Sequence, residues 1–252
     1  MFRLYITLVL FLTSCSNGSP GIPDELRYDP VFYFNDSEEA TLQVYYETGA
    51  EPFSGDLGGA NPVLEKVWDL TFLNLEEIFS FKIINTTINV PRELDEMISM
   101  GEIEQETWDI NAIIKLAEDQ QIKSKQDQEA IFSVFFVGGF FDDQGEVRTN
   151  VVGVNISGTS ITIIFKDVIN SMPQSLRVFS EQATVIHEVG HALGLVNNGV
   201  PAVADHFDGI NGAHSNLDQC IMYHLNEGAS DLIQLLLILT PLVTPHYGGP
   251  VF

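Results

Sequence analysis

The sequence predicts an α+β fold, in which a mixed and twisted β-sheet packs on helices within one large domain. Three observations favour this class. The 252 residues are 45% hydrophobic, which is enough for a sizeable core. Four runs of β-prone apolar residues occur at 41–46, 131–137, 151–156 and 160–165. Segments with apolar residues at helical spacing lie between the first two runs, and a longer helical segment follows the last one.

The first half of the chain contains one predicted strand and three predicted helices. Residues 41–46 (TLQVYY) alternate between apolar and polar positions, which is typical of a half-buried strand. Helices are predicted at 62–79, where Pro62 is tolerated in the first turn, and in an acidic stretch at 93–100. A third helix is predicted at 108–123 because apolar residues repeat along one face.

The middle of the chain is rich in strands. Residues 131–137 (IFSVFFV) are apolar almost throughout, as expected for a strand covered on both faces, and the run ends at Gly138 and Gly139. The runs 151–156 and 160–165 are separated by Ser, Gly and Thr, so we expect them to form a hairpin.

A buried helix is predicted to follow this hairpin. Ser180 is a suitable N-cap, and Glu181 in the first turn suits the helix dipole. Apolar residues recur at helical spacing as far as Leu193. Gly194 is the natural end, because glycine can adopt the left-handed conformation that turns the chain back.

The N-terminus predicts export. Residues 1–14 carry one early positive charge and a short apolar run, as a secretory signal does, and the run is too short for a stable membrane anchor. Residues 12–15 (LTSC) resemble the bacterial lipobox, which implies a lipid on Cys15; a plain signal peptide is the alternative. Residues 15–35 contain several Ser, Gly and Pro residues and are interpreted as a flexible tether, with the main domain at 36–252.

Cysteine content and charge restrict the partners. Lipidation of Cys15 would leave Cys220 without a disulfide partner; without lipidation, a bond between the two remains open. The net charge of −24 would repel nucleic acids and anionic lipid surfaces. We therefore expect no nucleic-acid partner, a monomer, and membrane attachment only through the lipid. The apolar segment 231–243 is too short for a membrane span and is interpreted as a docked helix.

Residues 187–197 (HEVGHALGLVN) carry the clearest chemical signal. His187 and His191 are four residues apart, so their imidazoles lie on one face of a helix and can bind a single zinc ion. Glu188 lies between them, where its carboxylate can take a proton from water at the metal. The alternative is a solvated helix that happens to carry two histidines. The motif predicts one catalytic zinc with Glu188 as the general base.

The order of strands, long helix, glycine turn and later methionine resembles the metzincin metallopeptidases, whose pattern is HExxHxxGxxH. His187, Glu188, His191 and Gly194 are in register with it, but position 197 is Asn, a poor zinc ligand. The resemblance implies a zincin-type domain whose zinc-binding helix is followed by a Met-turn.

Residues 214–222 (HSNLDQCIM) resemble the archaemetzincin arrangement. It implies His214 as the third zinc ligand and Met222 as the Met-turn methionine, with Cys220 between them. Ser215 stands where archaemetzincins have a second cysteine, so their additional structural zinc is not expected.

Other ligands stay open. His206, in the segment between the glycine turn and His214, competes for the metal, and Asn197 or an aspartate could also serve. Asp205 and Asp208 flank His206 and could help to bind Ca²⁺, although no calcium loop is recognisable. Tyr223 could approach the metal, although its offset from Met222 differs from that of metzincins.

These residues predict a zinc-dependent metalloendopeptidase that acts on proteins or peptides. An edge strand within 151–165 could hold the substrate backbone by strand addition. Two other functions are open: a catalytically inactive zinc-binding surface lipoprotein with an adhesion or binding role, and a non-proteolytic hydrolase of the zincin type.

Overall fold

The computed structural model describes residues 21–58, 64–196, 198–200, 206–218 and 220–224. Its α-helices are α1 (Pro30–Asn35), α2 (Asp69–Phe79), α3 (Ile110–Asp119), α4 (Lys166–Ser171) and α5 (Arg177–Ala192). Its strands are β1 (Glu39–Tyr46), β2 (Thr87–Asn89), β3 (Ile98–Ser99), β4 (Thr107–Trp108), β5 (Lys125–Gln126), β6 (Glu129–Val137), β7 (Phe140–Asp143), β8 (Glu146–Arg148), β9 (Gly153–Asn155) and β10 (Ile161–Phe165). Two short 3-10 helices lie at Asp24–Leu26 and Leu94–Glu96.

A mixed seven-stranded sheet forms the centre of the fold. Its main path runs β2-β1-β6-β10-β9, while β3 pairs with β1 and β5 pairs with β6. Strands β1, β6 and β10 are parallel to one another, and β9 is antiparallel to β10. Strands β4, β7 and β8 form a separate small sheet. Mixed strand directions and several packed helices confirm the prediction of a mixed sheet packed on helices.

Strand β6 is the middle of the core, as its apolar sequence predicts. From Ala130 to Val137 every residue is buried, so both faces of the strand are covered. The hairpin of β9 and β10 is also confirmed, with Ile163 opposite Val154. Helix α5 packs against β9 and β10, so the hairpin lies directly beside the helix that carries the two motif histidines.

Helix α3 confirms the helix predicted near 108–123, and the side chain of Asp109 caps it by accepting from the Ala112 N–H. The helix predicted at 62–79 begins later, at Asp69. The Asp69 carboxylate accepts from the N–H groups of Glu65 and Lys66 at 2.8 and 2.7 Å, which closes a turn before the helix starts. Residues 62 and 63 lie outside the described residues.

The helix predicted at 93–100 is wrong. Glu93 and Glu96 form a reciprocal capping box around one 3-10 turn. The following residues, Ile98 and Ser99, then pair with the end of β1. The backbone N–H and C=O groups that a longer helix would pair internally are paired in the sheet instead.

Residues 21–35, part of the expected tether, include segments that pack against the domain. Leu26 and Tyr33 are fully buried, and α1 has Pro30 at its first position and Asp29 as its N-cap. The Lys82 ammonium donates to the carbonyl oxygens of Tyr33 and Ser37 at 2.8 and 2.6 Å, near the C-terminal end of α1. The packed part of the chain therefore begins before residue 36.

Three predicted segments lie outside the described residues: the signal sequence at 1–14, Cys15 with the residues up to 20, and the helix at 231–243. Within the described ranges, no helix is long and apolar enough to cross a membrane.

Candidate metal centre

Helix α5 supplies the first part of the site. It begins at Arg177, three residues before the predicted N-cap Ser180, which is fully buried inside the helix. The Ser180 N–H donates to the Leu176 carbonyl oxygen at 2.9 Å, so the helical bonding extends through the serine. The predicted start was wrong because the helix begins after the turn that Pro173 and Leu176 close.

Gly194 ends the helical turn, as predicted. Its φ of +79° lies in the left-handed region, and the N–H of Leu195 donates to the Gly190 carbonyl oxygen at 3.0 Å. A Cβ at this position would also lie 3.0 Å from the ring of Pro30 and 3.2 Å from the ring of Tyr28. Glycine is therefore required at this position for two reasons: the turn needs a positive φ, and the N-terminal segment packs too closely for a side chain.

Three histidines converge at this end of the helix. Ligand nitrogens of His187, His191 and His214 lie within 4.8 Å of one another, and they form the one such group of three or more potential ligands among the described residues. The Nε2 atoms of His187 and His191 are 3.2 Å apart. Two nitrogens bound to tetrahedral zinc at 2.0–2.1 Å would be separated by about 3.3 Å. The spacing of the two Nε2 atoms suits zinc.

Backbone carbonyl groups orient two of the imidazoles. Nδ1 of His187 lies 2.7 Å from the Ile221 carbonyl oxygen, and Nδ1 of His214 lies 2.7 Å from that of Asn211. Because a carbonyl only accepts, each Nδ1 carries the proton, and each Nε2 presents a lone pair. Burial, and then the neighbouring histidines, lower the pKa of His191 well below its usual value, which favours the neutral form that binds metal.

Glu188 lies beside the three histidines and lines a cavity of about 350 Å³ together with His191. The residue is 3% exposed, and its Oε2 accepts from the Asn155 backbone N–H at 2.7 Å. That N–H faces away from β10. In an antiparallel pair alternate residues bond to the partner strand, and here the bonding residues of this segment include Val152 and Ile156. The remaining cavity lining is largely apolar: Phe141, Val151, Gly153, Val154, Asn155, Ser157, Asn198 and Ala213.

The segment with the predicted Met-turn is linked to the site through the Ile221 carbonyl group, which bonds to His187. Met222 is fully buried, and its carbonyl oxygen accepts from the Ser215 N–H at 2.8 Å. This bond joins the methionine segment to the residue after His214. Cys220 is also buried, whereas Cys15, its alternative disulfide partner, lies outside the described residues.

The competing ligands are placed differently. His206 is not a member of the three-histidine group; it is buried, with its Nδ1 3.3 Å from the Ser215 hydroxyl. The ring of Tyr223 packs against that of His224, at 4.5 Å between ring centres. Asn197 and Asp205 lie outside the described residues, and calcium binding by this loop stays a prediction.

Sequence reasoning missed the groups that hold the candidate ligands in place. The carbonyl groups of Asn211 and Ile221 and the N–H of Asn155 all belong to the backbone, which every residue type carries. No residue pattern could have revealed them. The sequence suggests Asp208 only as a possible calcium ligand, whereas in the structure its side chain binds the turn before His214.

The fold and these side chains define a class of protein: a mixed α/β domain with a three-histidine group that could hold a metal. No protein-family model and no curated protein matches this sequence. Among solved structures, the chain is similar to a zinc-dependent peptidase from Methanocorpusculum labreanum, with 14% sequence identity and a TM-score of 0.40. The similarity covers 77% of this chain and 92% of that chain. The chemistry of the site must therefore follow from its own residues.

Proposed function

We propose that this protein is a zinc-dependent metalloendopeptidase in which His187, His191 and His214 bind zinc and Glu188 is the general base. One observation carries the proposal: three imidazoles come within 4.8 Å of one another, and the neighbouring Glu188 lines a cavity with one of them. The metzincin and archaemetzincin resemblance of the motif residues supports the same assignment.

The donor set fits zinc. Imidazole nitrogens are common zinc ligands, and three protein ligands that leave a fourth position for water are typical of catalytic rather than structural zinc. A structural zinc site has no reacting water and therefore does not require a nearby carboxylate such as that of Glu188. When bound, zinc would supply a Lewis acid that lowers the pKa of water and stabilises negative charge on a carbonyl oxygen.

Glu188 would move the proton. Its Oε2 is held by the Asn155 N–H, so the carboxylate is fixed in orientation before a substrate arrives. We propose that it takes the proton of the attacking water and delivers it to the leaving amine. Hydrolysis then consumes one water and returns the carboxylate to its starting form.

Strand β9 is the proposed platform for the substrate backbone. It is the last strand on its side of the described sheet, and the backbone groups of Gly153 point away from β10. The Asn155 N–H points the same way but is already bound to Glu188. An extended peptide could pair with this edge beside the cavity. A protein or peptide is therefore the proposed substrate class, and an uncharged, largely apolar lining surrounds the carboxylate.

The test is Glu188→Gln, which keeps an oxygen for the Asn155 N–H while removing the base. We expect zinc content to stay at the wild-type level and cleavage of a broad peptide library to fall by about 10²- to 10⁴-fold. Glu118→Gln, on the exposed face of α3, is the matched control and should leave both unchanged.

Full peptidase activity in Glu188→Gln would contradict the assignment of the base. Zinc binding without hydrolysis in the wild type would favour an inactive zinc-binding lipoprotein, and activity on non-peptide substrates would favour another zincin-type hydrolase. Export, lipidation of Cys15 and a monomeric state are further proposals that rest on the sequence alone.

A further inference from the structure

His214 is presented by a short hairpin that covers residues 206–216. Phe207 bridges Ser215 in antiparallel fashion. The Asp208 N–H donates to the His214 carbonyl oxygen at 2.8 Å, and the Asn216 N–H donates to that of His206 at the same distance. Unlike His187 and His191, His214 does not lie on a helix, so its position depends on how this hairpin closes.

Asp208 closes the turn at the tip of the hairpin. Its Oδ1 accepts from the N–H groups of Ile210 and Asn211 at 2.9 and 3.2 Å, and its Oδ2 accepts from the Asn211 side-chain amide at 2.6 Å. Nδ1 of His224 lies 3.5 Å from the same Oδ2. The side chain is only 12% exposed, although it belongs to a surface loop. Both oxygens are engaged by the protein.

The residue that Asp208 binds twice is the one that orients His214. The Asn211 carbonyl oxygen lies 2.7 Å from Nδ1 of His214. Because that contact fixes the ring, the plane of the imidazole follows the position of Asn211. Gly212, at a φ of +83°, allows the chain to fold His214 back onto this carbonyl.

We propose that Asp208 is a positioning residue for the metal site, acting through Asn211 on His214. The inference rests on the proposed zinc binding by His214. Groups that hold a ligating histidine in place affect metal affinity although they never touch the metal, typically by 10- to 100-fold. The oxygens of Asp208 accept from N–H groups of the hairpin, so Asp208 acts on the site through Asn211.

The experiment measures zinc affinity of the full chain by titration with the metal alone. We expect Asp208→Ala to weaken zinc binding 10- to 100-fold, and Asp208→Asn to weaken it less, because asparagine keeps one oxygen for the N–H groups of Ile210 and Asn211. The matched control is Asp218→Ala, an exposed aspartate of the same region, which should bind zinc as the wild type does.

A double-mutant comparison separates positioning from general loop stability. In a His214→Ala background, Asp208→Ala should cause no further loss of zinc affinity, because the ring that it positions is gone. Circular dichroism of the metal-free proteins should show the same fold for all variants. Wild-type affinity in Asp208→Ala, or an equal loss in both backgrounds, would overturn the inference.

The outcomes also separate this inference from the proposed function. Wild-type zinc binding and hydrolysis together with an unaffected Asp208→Ala would overturn only the positioning role. Zinc binding that depends on Asp208 in a wild type without peptidase activity would support the positioning role and contradict the enzyme. A wild type that binds no zinc would overturn both.

Discussion

At the scale of single residues, Asn155 contributes to the site with two different groups. Its backbone N–H holds Oε2 of Glu188, while its side-chain amide donates to the carbonyl oxygens of Thr159 and Ile161 at 3.2 and 2.9 Å. The side chain therefore fixes the turn between β9 and β10, and the backbone fixes the carboxylate. A carboxylate held in this way needs no rearrangement to face the cavity.

His214 and His206 differ sharply in what their replacement should do. We expect His214→Ala to lower zinc affinity by at least the 10- to 100-fold of a lost supporting contact, because a ligand itself is removed. His206→Ala should retain most of the affinity, since His206 contacts Ser215 and lies outside the three-histidine group. Metal analysis after dialysis would measure both variants. A greater loss in His206→Ala than in His214→Ala would contradict this placement.

The motif residues illustrate what sequence can reveal at this scale. The spacing of His187 and His191 places both on one face of any regular helix, so their proximity follows from helix geometry. The position of His214 close to His187 and His191 depends on the path of the 206–216 hairpin. From the sequence it could be inferred only through the resemblance to archaemetzincins. The orienting carbonyl groups of Ile221 and Asn211 were beyond prediction, because their role is set by backbone position.

Among the elements, α1 departs most from expectation. Its surroundings resemble a tether because they contain several Pro, Gly and Ser residues, yet two of the side chains there are fully buried in the core. Leu26 is fully buried, and the Tyr33 ring lies 5.0 Å from the Phe132 ring in an edge-to-face contact. Composition averages over a segment and does not detect such single contacts.

The burial of Tyr33 predicts a dependence of stability on alkaline pH. Burial raises the pKa of Tyr33 from 10 to about 12, so between these values the folded chain keeps a proton that the unfolded chain releases. Its contribution to the free energy of unfolding is complete below pH 10 and is lost as the pH rises through 12. At pH 11 the loss is about 1.4 kcal/mol.

The comparison with Tyr33→Phe isolates this effect, because phenylalanine has no proton to release. Urea unfolding at pH 8 and pH 11 should show a larger loss for the wild type than for the variant, by about 1.4 kcal/mol. An equal loss in both proteins would mean that the ring of Tyr33 is not buried and that the segment around α1 is not packed.

Helix α5 shows a second limit of sequence patterns. Its buried face includes polar residues that a hydrophobic stripe does not anticipate, above all Glu181, which is fully buried and pairs with the buried Lys166. Glu181 also accepts from the Phe53 N–H at 2.8 Å. A glutamate after a serine resembles the solvated first turn of a helix, whereas its burial depends on Lys166 from a neighbouring helix and on Phe53 from a distant part of the sequence.

At the scale of the whole molecule, the site brings together parts of the chain that are separate in sequence and that also meet in the hydrophobic core, where Ile221 and Met222 pack with residues of α5. Helix α5 supplies two histidines and the glutamate, the 206–216 hairpin supplies the third histidine, and the turn at 220–222 supplies the Ile221 carbonyl. The mixed sheet was predictable because β-prone runs are local signals. The meeting of these three segments at one site could not be predicted, because it depends on packing between residues far apart in the sequence.

Zinc should therefore stabilise the fold as well as the site, because it would link α5 to the 206–216 hairpin. Free zinc at about 100 times its dissociation constant adds about 2.7 kcal/mol to the free energy of unfolding, if the unfolded chain does not bind it. For a domain of this size the melting temperature should rise by roughly 5 to 10 °C over the chelated protein. Scanning calorimetry of the zinc-loaded and chelator-treated protein would measure this, with Ca²⁺ as the control ion and His214→Ala expected to lose most of the shift. A melting temperature that does not respond to zinc, or responds equally in His214→Ala, would mean that no metal joins these two parts of the chain.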